Sequence, residues 1–353
     1  MKKFSTLLLA TIMTFGLVAC GNSGDNAGSS EVQSGAVSEE QTGTSAEEQT
    51  SSAATEQTET SVEEQKPESI TITCINGASE EIELEVPFDP QRIVTLDAAS
   101  LDILSNLGLT DRVVGTTTPE AYLADYVTDA ANVGTAKTFD MEAIMECEPD
   151  LIFMAGRGSD YYDTLAEIAP VVRLTVSGAV VEGTYENAVK IASIFGMEEE
   201  MNAKLDAYND RIATLQAIAE SKNAIIGMCT SGAFNLLGND GRCSIIGNEL
   251  GFNNIGVDAN IDTSAHGNEA SFEFVVEKAP DYIFVLDRDA ATNAEGAQLA
   301  KDIMENDLIK STDAYKNGNL IIMENAGVWY KAEGGFTALG IMLEDLEKEL
   351  LSK

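Results

Sequence analysis

Two stretches of this chain repeat each other across its middle. Met141–Arg157 (MEAIMECEPDLIFMAGR) and Phe272–Arg288 (FEFVVEKAPDYIFVLDR) align without a gap at an offset of 131 residues. The pairs Glu142/Glu273, Glu146/Glu277, Pro149/Pro280, Asp150/Asp281, Ile152/Ile283, Phe153/Phe284 and Arg157/Arg288 are identical. Each copy reads as a short helix, a Pro-Asp turn, an apolar strand and an arginine at the strand's carboxyl end. Upstream, each half also has an apolar strand (Arg92–Leu96; Ala224–Cys229), followed by a helix with a Leu-Gly ending (Leu101–Leu109; Ser244–Phe252). Such a duplication constrains the chain to two similar α/β lobes. In open α/β sheets, ligands bind beyond the carboxyl ends of the strands, so Arg157 and Arg288 are expected at a cleft between the lobes.

Between the copies lies Met197–Ser221, which has no Gly and no Pro. Its apolar residues Met201, Leu205, Tyr208, Ile212, Leu215 and Ile218 are spaced to form one helical face. Gly196 closes a shorter helical run, Tyr185–Phe195. At about 1.5 Å per residue, the longer run would span roughly 36 Å, the width of a small domain. The expected layout is an N-terminal α/β lobe over 69–182, bridging helices over 183–221 and a C-terminal α/β lobe over 222–353. Ile70–Val86 alternates as a β-hairpin with Asn76-Gly77 as its turn. The chain closes with a strand Leu320–Glu324, a Gly-rich loop Asn325–Gly335 and an amphipathic helix Thr337–Leu351.

The N-terminus carries a different signal. Residues 1–19 place two lysines before a short apolar run, the pattern of a signal peptide. The sequence Leu17-Val18-Ala19-Cys20-Gly21 resembles the lipobox of bacterial lipoproteins, which implies that Cys20 becomes the lipidated mature N-terminus. Residues 20–68 are dominated by Ser, Thr, Gln, Glu, Gly and Ala and read as a disordered tether. The formal net charge is -38. So acidic a chain argues against nucleic acid and against adhesion to anionic lipid heads, and makes any cluster of cations informative.

Several chemistries are excluded. Apart from Cys20, the cysteines Cys74, Cys147, Cys229 and Cys243 lack CxxC spacing and read as isolated buried residues; a Cys229–Cys243 bridge is the alternative. His266 is the single histidine, so no multi-histidine metal site can form. There is no Gly-x-Ser-x-Gly elbow, P-loop or Gly-x-Gly-x-x-Gly fingerprint. What remains is three arginines at loop ends: Arg157 flanked by glycines, Arg242 in a Gly-rich loop and Arg288 after a strand. Guanidinium groups bind anionic oxygens strongly and often bidentately, so the implied ligand is anionic and rich in oxygen. Trp329 and Tyr330 fall where the second lobe should border the cleft.

From about Val86 onward, the chain resembles the iron–siderophore binding lipoproteins of ABC importers, closest to the catecholate, petrobactin-type branch. The stretches that carry the likeness are Asp89-Pro90-Gln91-Arg92-Ile93-Val94, Glu148-Pro149-Asp150-Leu151-Ile152, Gly156-Arg157, Gly241-Arg242, His266-Gly267, Pro280 to Arg288 and Trp329-Tyr330. The resemblance implies a helical-backbone (class III) periplasmic-binding-protein fold and a monomer without an intrinsic cofactor or catalytic activity. It implies that Arg157, Arg242 and Arg288 meet catecholate oxygens, with Trp329 nearby. It also implies that His266 and Tyr330 complete the coordination of ferric iron when the siderophore supplies only four oxygens. Glu142 and Glu273 would dock on permease arginines. The alternatives are the same scaffold carrying haem or a corrinoid, and an exported hydrolase.

Overall fold

The computed structural model describes residues 66–176, 180–257 and 267–352. Cys20 and His266 lie outside the described residues. Two sheets organise the chain. The first has five parallel strands in the order Ala131–Asn132, Val113–Thr116, Ile93–Thr95, Leu151–Met154 and Val171–Arg173. In the second, Asn223–Thr230 runs parallel to Tyr282–Asp287, which runs parallel to Leu320–Ile322. Its other edge is antiparallel, formed by Ala233–Leu236 and Asn268–Glu269, while Asn253–Asn254 pairs with the start of Asn223–Thr230.

The repeat persists at the level of single hydrogen bonds. Each copy has a helix, Met141–Glu146 or Phe272–Lys278, capped by the side chain of Asp140 or Ser271. A residue with φ of 45°, Glu148 or Ala279, then turns the chain into Pro149 or Pro280. The next carboxylate accepts from the backbone of the preceding parallel strand: Asp150 from Arg92 N at 3.0 Å, Asp281 from Asn223 N at 2.9 Å. The strands then align in the same register, Ile93 opposite Leu151 and Ala224 opposite Tyr282. Duplication of the sequence is therefore duplication of the turn that fixes the register.

The hairpin forms from Ser69–Ile75 and Glu81–Pro87, but its turn is longer than an Asn-Gly pair. Asn76 Oδ1 accepts from Ala78 N and Glu80 N, and Ser79 takes the positive φ of 63°. Arg173 donates to the Asn76 carbonyl and to Ser79 Oγ, tying this loop to the first sheet.

The expected single helix over Met197–Ser221 is two helices, Glu198–Asp206 and Asn209–Ala219. At the break, the Leu205 carbonyl accepts from Tyr208 N at 3.0 Å and from the Tyr185 hydroxyl at 2.9 Å. These two donors replace the regular helical one. Asp206 and Asn209 flank the break, and such residues favour helix ends over helix interiors. The continuous strut is instead Val180–Ile194, about 22 Å long at 1.5 Å per residue. Its Val180 packs in the core of the second lobe, and its Ala188, Ile191 and Ile194 pack in that of the first. Gly196 ends this helix with a φ of 67°, as expected. The return path divides likewise: Met201 and Leu205 join the first core, Ile212 and Leu215 the second.

All four described cysteines are free and buried. Cys229 lies with Ile225, Phe234 and Val285, whereas Cys243 lies with Ile245, Leu286 and Trp329 in a different cluster, so the Cys229–Cys243 bridge is not formed. The helix Ser244–Phe252 shrinks to a five-residue π-helical turn, Ile245–Glu249. The segment read as a Gly-rich loop contains a helix, Ala326–Lys331. Trp329 on that helix is 0% exposed and donates from its indole to Asp345 at 2.9 Å. It is a core residue of the second lobe, which corrects its expected place against a ligand.

The two lobes also meet at Asp102, which is 0% exposed on the first-lobe helix Ala98–Asn106. Its carboxylate accepts from Thr337 N and Ala338 N, both at 2.9 Å, at the start of the last helix, Phe336–Leu350. Tyr122 Oη and Asn106 Nδ2 also donate to it. Gly335 permits this approach, because a Cβ there would stand 2.4 Å from Asp102 Oδ2. Asp102→Ala should lower the unfolding free energy by on the order of 2–4 kcal/mol, because several buried donors lose their acceptor. Asp102→Asn keeps one acceptor oxygen and should lose less. Urea unfolding followed by circular dichroism measures both; a negligible loss in the alanine variant would mean that water replaces the carboxylate.

Candidate functional site

The cleft residues come from the ends of strands, as the doubly wound pattern requires. Arg157 follows Leu151–Met154 in the first sheet; Arg288 directly follows Tyr282–Asp287 in the second and opens a one-turn helix capped by Asp287. Arg242 lies in the loop before Cys243, which adopts a φ of 62°. Tyr330 sits beside Trp329 on Ala326–Lys331, so the buried indole bond to Asp345 fixes its backbone.

These four residues converge. Arg157 Nη2 donates to the Tyr330 carbonyl at 3.2 Å, and Arg242 Nε donates to the same oxygen at 3.3 Å. Arg288 Nε donates to the Tyr330 hydroxyl at 3.2 Å. The three guanidinium carbons lie 5.9, 4.2 and 5.8 Å from the centroid of the Tyr330 ring, within range of cation–π attraction. Burial, and then the nearby Arg242, push the Arg157 guanidinium below its ordinary pKa. The bond with Tyr330 acts first in the other direction on Arg288, helped by Asp289, whose Oδ1 is 3.3 Å away. Arg288 also donates to Thr230 Oγ1 at 3.2 Å. Like charges are thus held together around one aromatic ring, an arrangement that favours an anion bridging them.

Arg157 and Arg242 also line a cavity of about 290 Å³, which reaches into the first lobe past Leu96, Asp97, Pro119 and Val176. Glu120 and Lys331 form an ion pair of 2.8 Å on its wall, joining residues from the two lobes. Asp97 caps the helix Ala98–Asn106 by accepting from Ser100 N and Oγ, each at 2.9 Å, and burial raises its carboxyl above the usual range. Glu333 accepts from Cys243 N at 3.1 Å. Burial lifts the Glu333 carboxyl to about 7, although the Cys243 bond, Arg242 and Arg157 act to lower it.

The structure therefore brings Arg157, Arg242, Arg288 and Tyr330 together and withdraws Trp329 into the core. Glu142 and Glu273 are exposed in the first turns of their repeated helices, where the helix dipole favours acid. Sequence reasoning missed Asp97, Glu120, Lys331 and Glu333. The only sequence signal for Glu333 was an acid in a Gly-rich segment just after the Trp-Tyr pair. Asp97 carried the pattern of a helix cap, which says nothing about a cleft.

Residues 93–326 match the periplasmic binding protein family. The chain is similar to the petrobactin-binding protein YclQ of Bacillus subtilis, with 29% identity over 358 residues and 99% of each chain covered. The crystal structure of YclQ superimposes with a TM-score of 0.74 and 31% identity, covering 80% of this chain and 99% of that one. The iron uptake ABC transporter substrate-binding protein PiuA of Streptococcus pneumoniae gives a TM-score of 0.72 at 32% identity, covering 80% and 99%. The periplasmic catecholate-siderophore binding protein VctP of Vibrio cholerae gives 0.71 at 26% identity, covering 79% and 100%. Two sheets joined by helices are thus shared with solved relatives, and the chain belongs to the periplasmic binding protein family.

Proposed function

We propose that this protein is a receptor that captures an anionic ferric siderophore of the catecholate type and delivers it to the permease of an ABC importer. The observation that carries the reading is the convergence of Arg157, Arg242 and Arg288 on Tyr330. A ferric tris-catecholate carries a charge of about -3, and three guanidinium groups match it in charge and in hydrogen-bond geometry. The names of YclQ and VctP point to the same class of cargo, and that of PiuA to iron uptake. The iron is cargo and arrives with its chelator.

In this reading, Cys20 anchors the receptor to the outer face of the membrane through lipid, and residues 20–68 tether the binding domain. Glu142 and Glu273, one on each copy of the repeat, meet the permease. The protein performs no catalysis. His266 and the Tyr330 phenol supply the last iron ligands when the chelator offers four oxygens; a phenol oxygen is a hard donor suited to ferric iron.

Quenching of Trp329, the only tryptophan and the neighbour of Tyr330, provides a titration signal. Ferric catecholates should quench saturably, while ferric hydroxamate, haem and cobalamin should not. Quenching by haem or cobalamin alone would change the cargo and keep the fold. Arg157→Ala, Arg242→Ala and Arg288→Ala should each weaken binding by about 1–3 kcal/mol through loss of a charge-assisted hydrogen bond. Unchanged affinity in all three would remove the cationic cleft from the account. His266→Ala and Tyr330→Phe should harm tetradentate complexes more than hexadentate ones, and equal losses for both would exclude direct coordination.

A further inference from the structure

The two copies of the repeat part at the residue after their shared arginine. Arg157 is followed by Gly158, with a φ of 72°, and Arg288 by Asp289. A side chain at 158 would collide with Phe139, whose Cε2 lies 2.5 Å from the place of a Cβ. Only the second copy can therefore set a carboxylate directly after its arginine. That carboxylate is 4% exposed, against 27% for the Arg288 side chain. Its Oδ2 accepts from Ser231 N at 2.6 Å. Ser231 and Gly232, with φ of 52° and 82°, make the two-residue turn between Asn223–Thr230 and Ala233–Leu236, a turn that needs left-handed backbone at both positions. Asp289 is thus fixed to the sheet on one side. On the other, its Oδ1 accepts from Thr230 Oγ1 at 3.4 Å and from Arg288 Nη1 at 3.3 Å. Thr230 Oγ1 itself accepts from Arg288 Nη1 at 3.2 Å. Both hydrogens of Nη1 are thereby committed, and the hydroxyl hydrogen, directed to Asp289, turns the Thr230 lone pairs toward the guanidinium. Nε bonds the Tyr330 hydroxyl. Among the described residues, Nη2 alone of the three guanidinium nitrogens has no acceptor.

We propose that Asp289 is a positioning residue: directly and through Thr230 it occupies Nη1 of Arg288, and so sets which edge of that guanidinium is offered to an anion. The inference rests on the catecholate reading and adds to it the buried group that orients one of its arginines. The duplicated arginines then differ in duty. Arg288 is oriented before the ligand arrives, so less side-chain freedom is lost when it binds. Arg157, hydrogen-bonded only to the Tyr330 carbonyl, is the one that adjusts.

A double-mutant comparison tests it, with a ferric tris-catecholate as probe and Trp329 quenching as the signal. Asp289→Asn and Thr230→Val are each placed in the wild-type protein and in Arg288→Ala. With Arg288 present, Thr230→Val should weaken binding by roughly threefold, the order of one hydrogen bond. In Arg288→Ala, the same change should have an effect below about 1.5-fold, because a residue acting through another is silent once that other is gone. Asp289→Asn also removes a negative charge near an anion, but that contribution is common to both backgrounds and cancels in their ratio, leaving a loss of roughly fivefold that requires Arg288. Equal factors in the two backgrounds, for either variant, would overturn the proposal and leave Asp289 a purely structural residue. NMR relaxation of the Arg288 Nε–Hε group in the ligand-free protein gives a readout that does not depend on the cargo. Both variants should make that group more mobile, and unchanged mobility would also overturn the proposal. Failure of the wild-type protein to bind the probe would instead overturn the catecholate reading, and the relaxation measurement would still decide the role of Asp289. Thermal unfolding shows whether Asp289→Asn has lost the Ser231 turn; if so, Thr230→Val, which leaves that bond in place, decides.

Discussion

Asp102 holds the start of the terminal helix from the opposite lobe, and much of the cleft is arranged by that bond. The helix Phe336–Leu350 packs its apolar face in the second core, while Asp102 belongs to the first lobe. The segment between Trp329 and Thr337 is therefore pinned at both ends. At one end, Trp329 is fixed through its indole to Asp345; at the other, Thr337 and Ala338 are fixed by Asp102. Tyr330 and Glu333 lie on this pinned span. The ring that gathers the arginines and the carboxylate beside them thus take their places from two buried carboxylates that need never touch ligand. Each buried acid is offset by several donors, without which its desolvation would be destabilising.

The charge distribution has a second implication. The whole chain carries a formal charge of -38, yet its cleft concentrates arginines. A trianionic chelate is repelled by such a protein at long range. At physiological ionic strength, screening confines that repulsion to about 8 Å, so recognition is decided inside the cleft. There the guanidinium groups are held by an aromatic face and a carbonyl oxygen, with Asp289 beside Arg288. For Arg157, the neutral Tyr330 carbonyl keeps the guanidinium oriented while leaving its charge for an incoming anion.

What could be read from the sequence was whatever local pattern determines. The repeat foretold both sheets because Asp150 and Asp281 each fix a strand by the same bond, and that bond needs only the local turn. The three arginines were legible because they close strands. The break at Ala207–Tyr208 was not, since the apolar spacing continues in phase through it and the competing donor, the Tyr185 hydroxyl, comes from another helix. Trp329 was misplaced for a related reason: its indole acceptor, Asp345, is supplied by the terminal helix. The Asn76-Gly77 pair suggested a tight turn, but the Asn76 side chain organises a wider one. Glu333 was invisible as a cleft residue because its surroundings come from distant segments.

The broken return path gives the connection between the lobes a mechanical character. One crossing, Val180–Ile194, is an unbroken rod anchored in both cores; the other is two rods meeting at a knuckle. A rod resists stretching, so the lobes cannot be drawn apart along it, whereas the knuckle can absorb a change of angle through a few backbone torsions. Relative movement is then a small tilt, like a door on a stiff post with one loose pin. A change of angle between the lobes would alter the spacing of the two repeated helices, Met141–Glu146 and Phe272–Lys278, while leaving each helix itself unchanged.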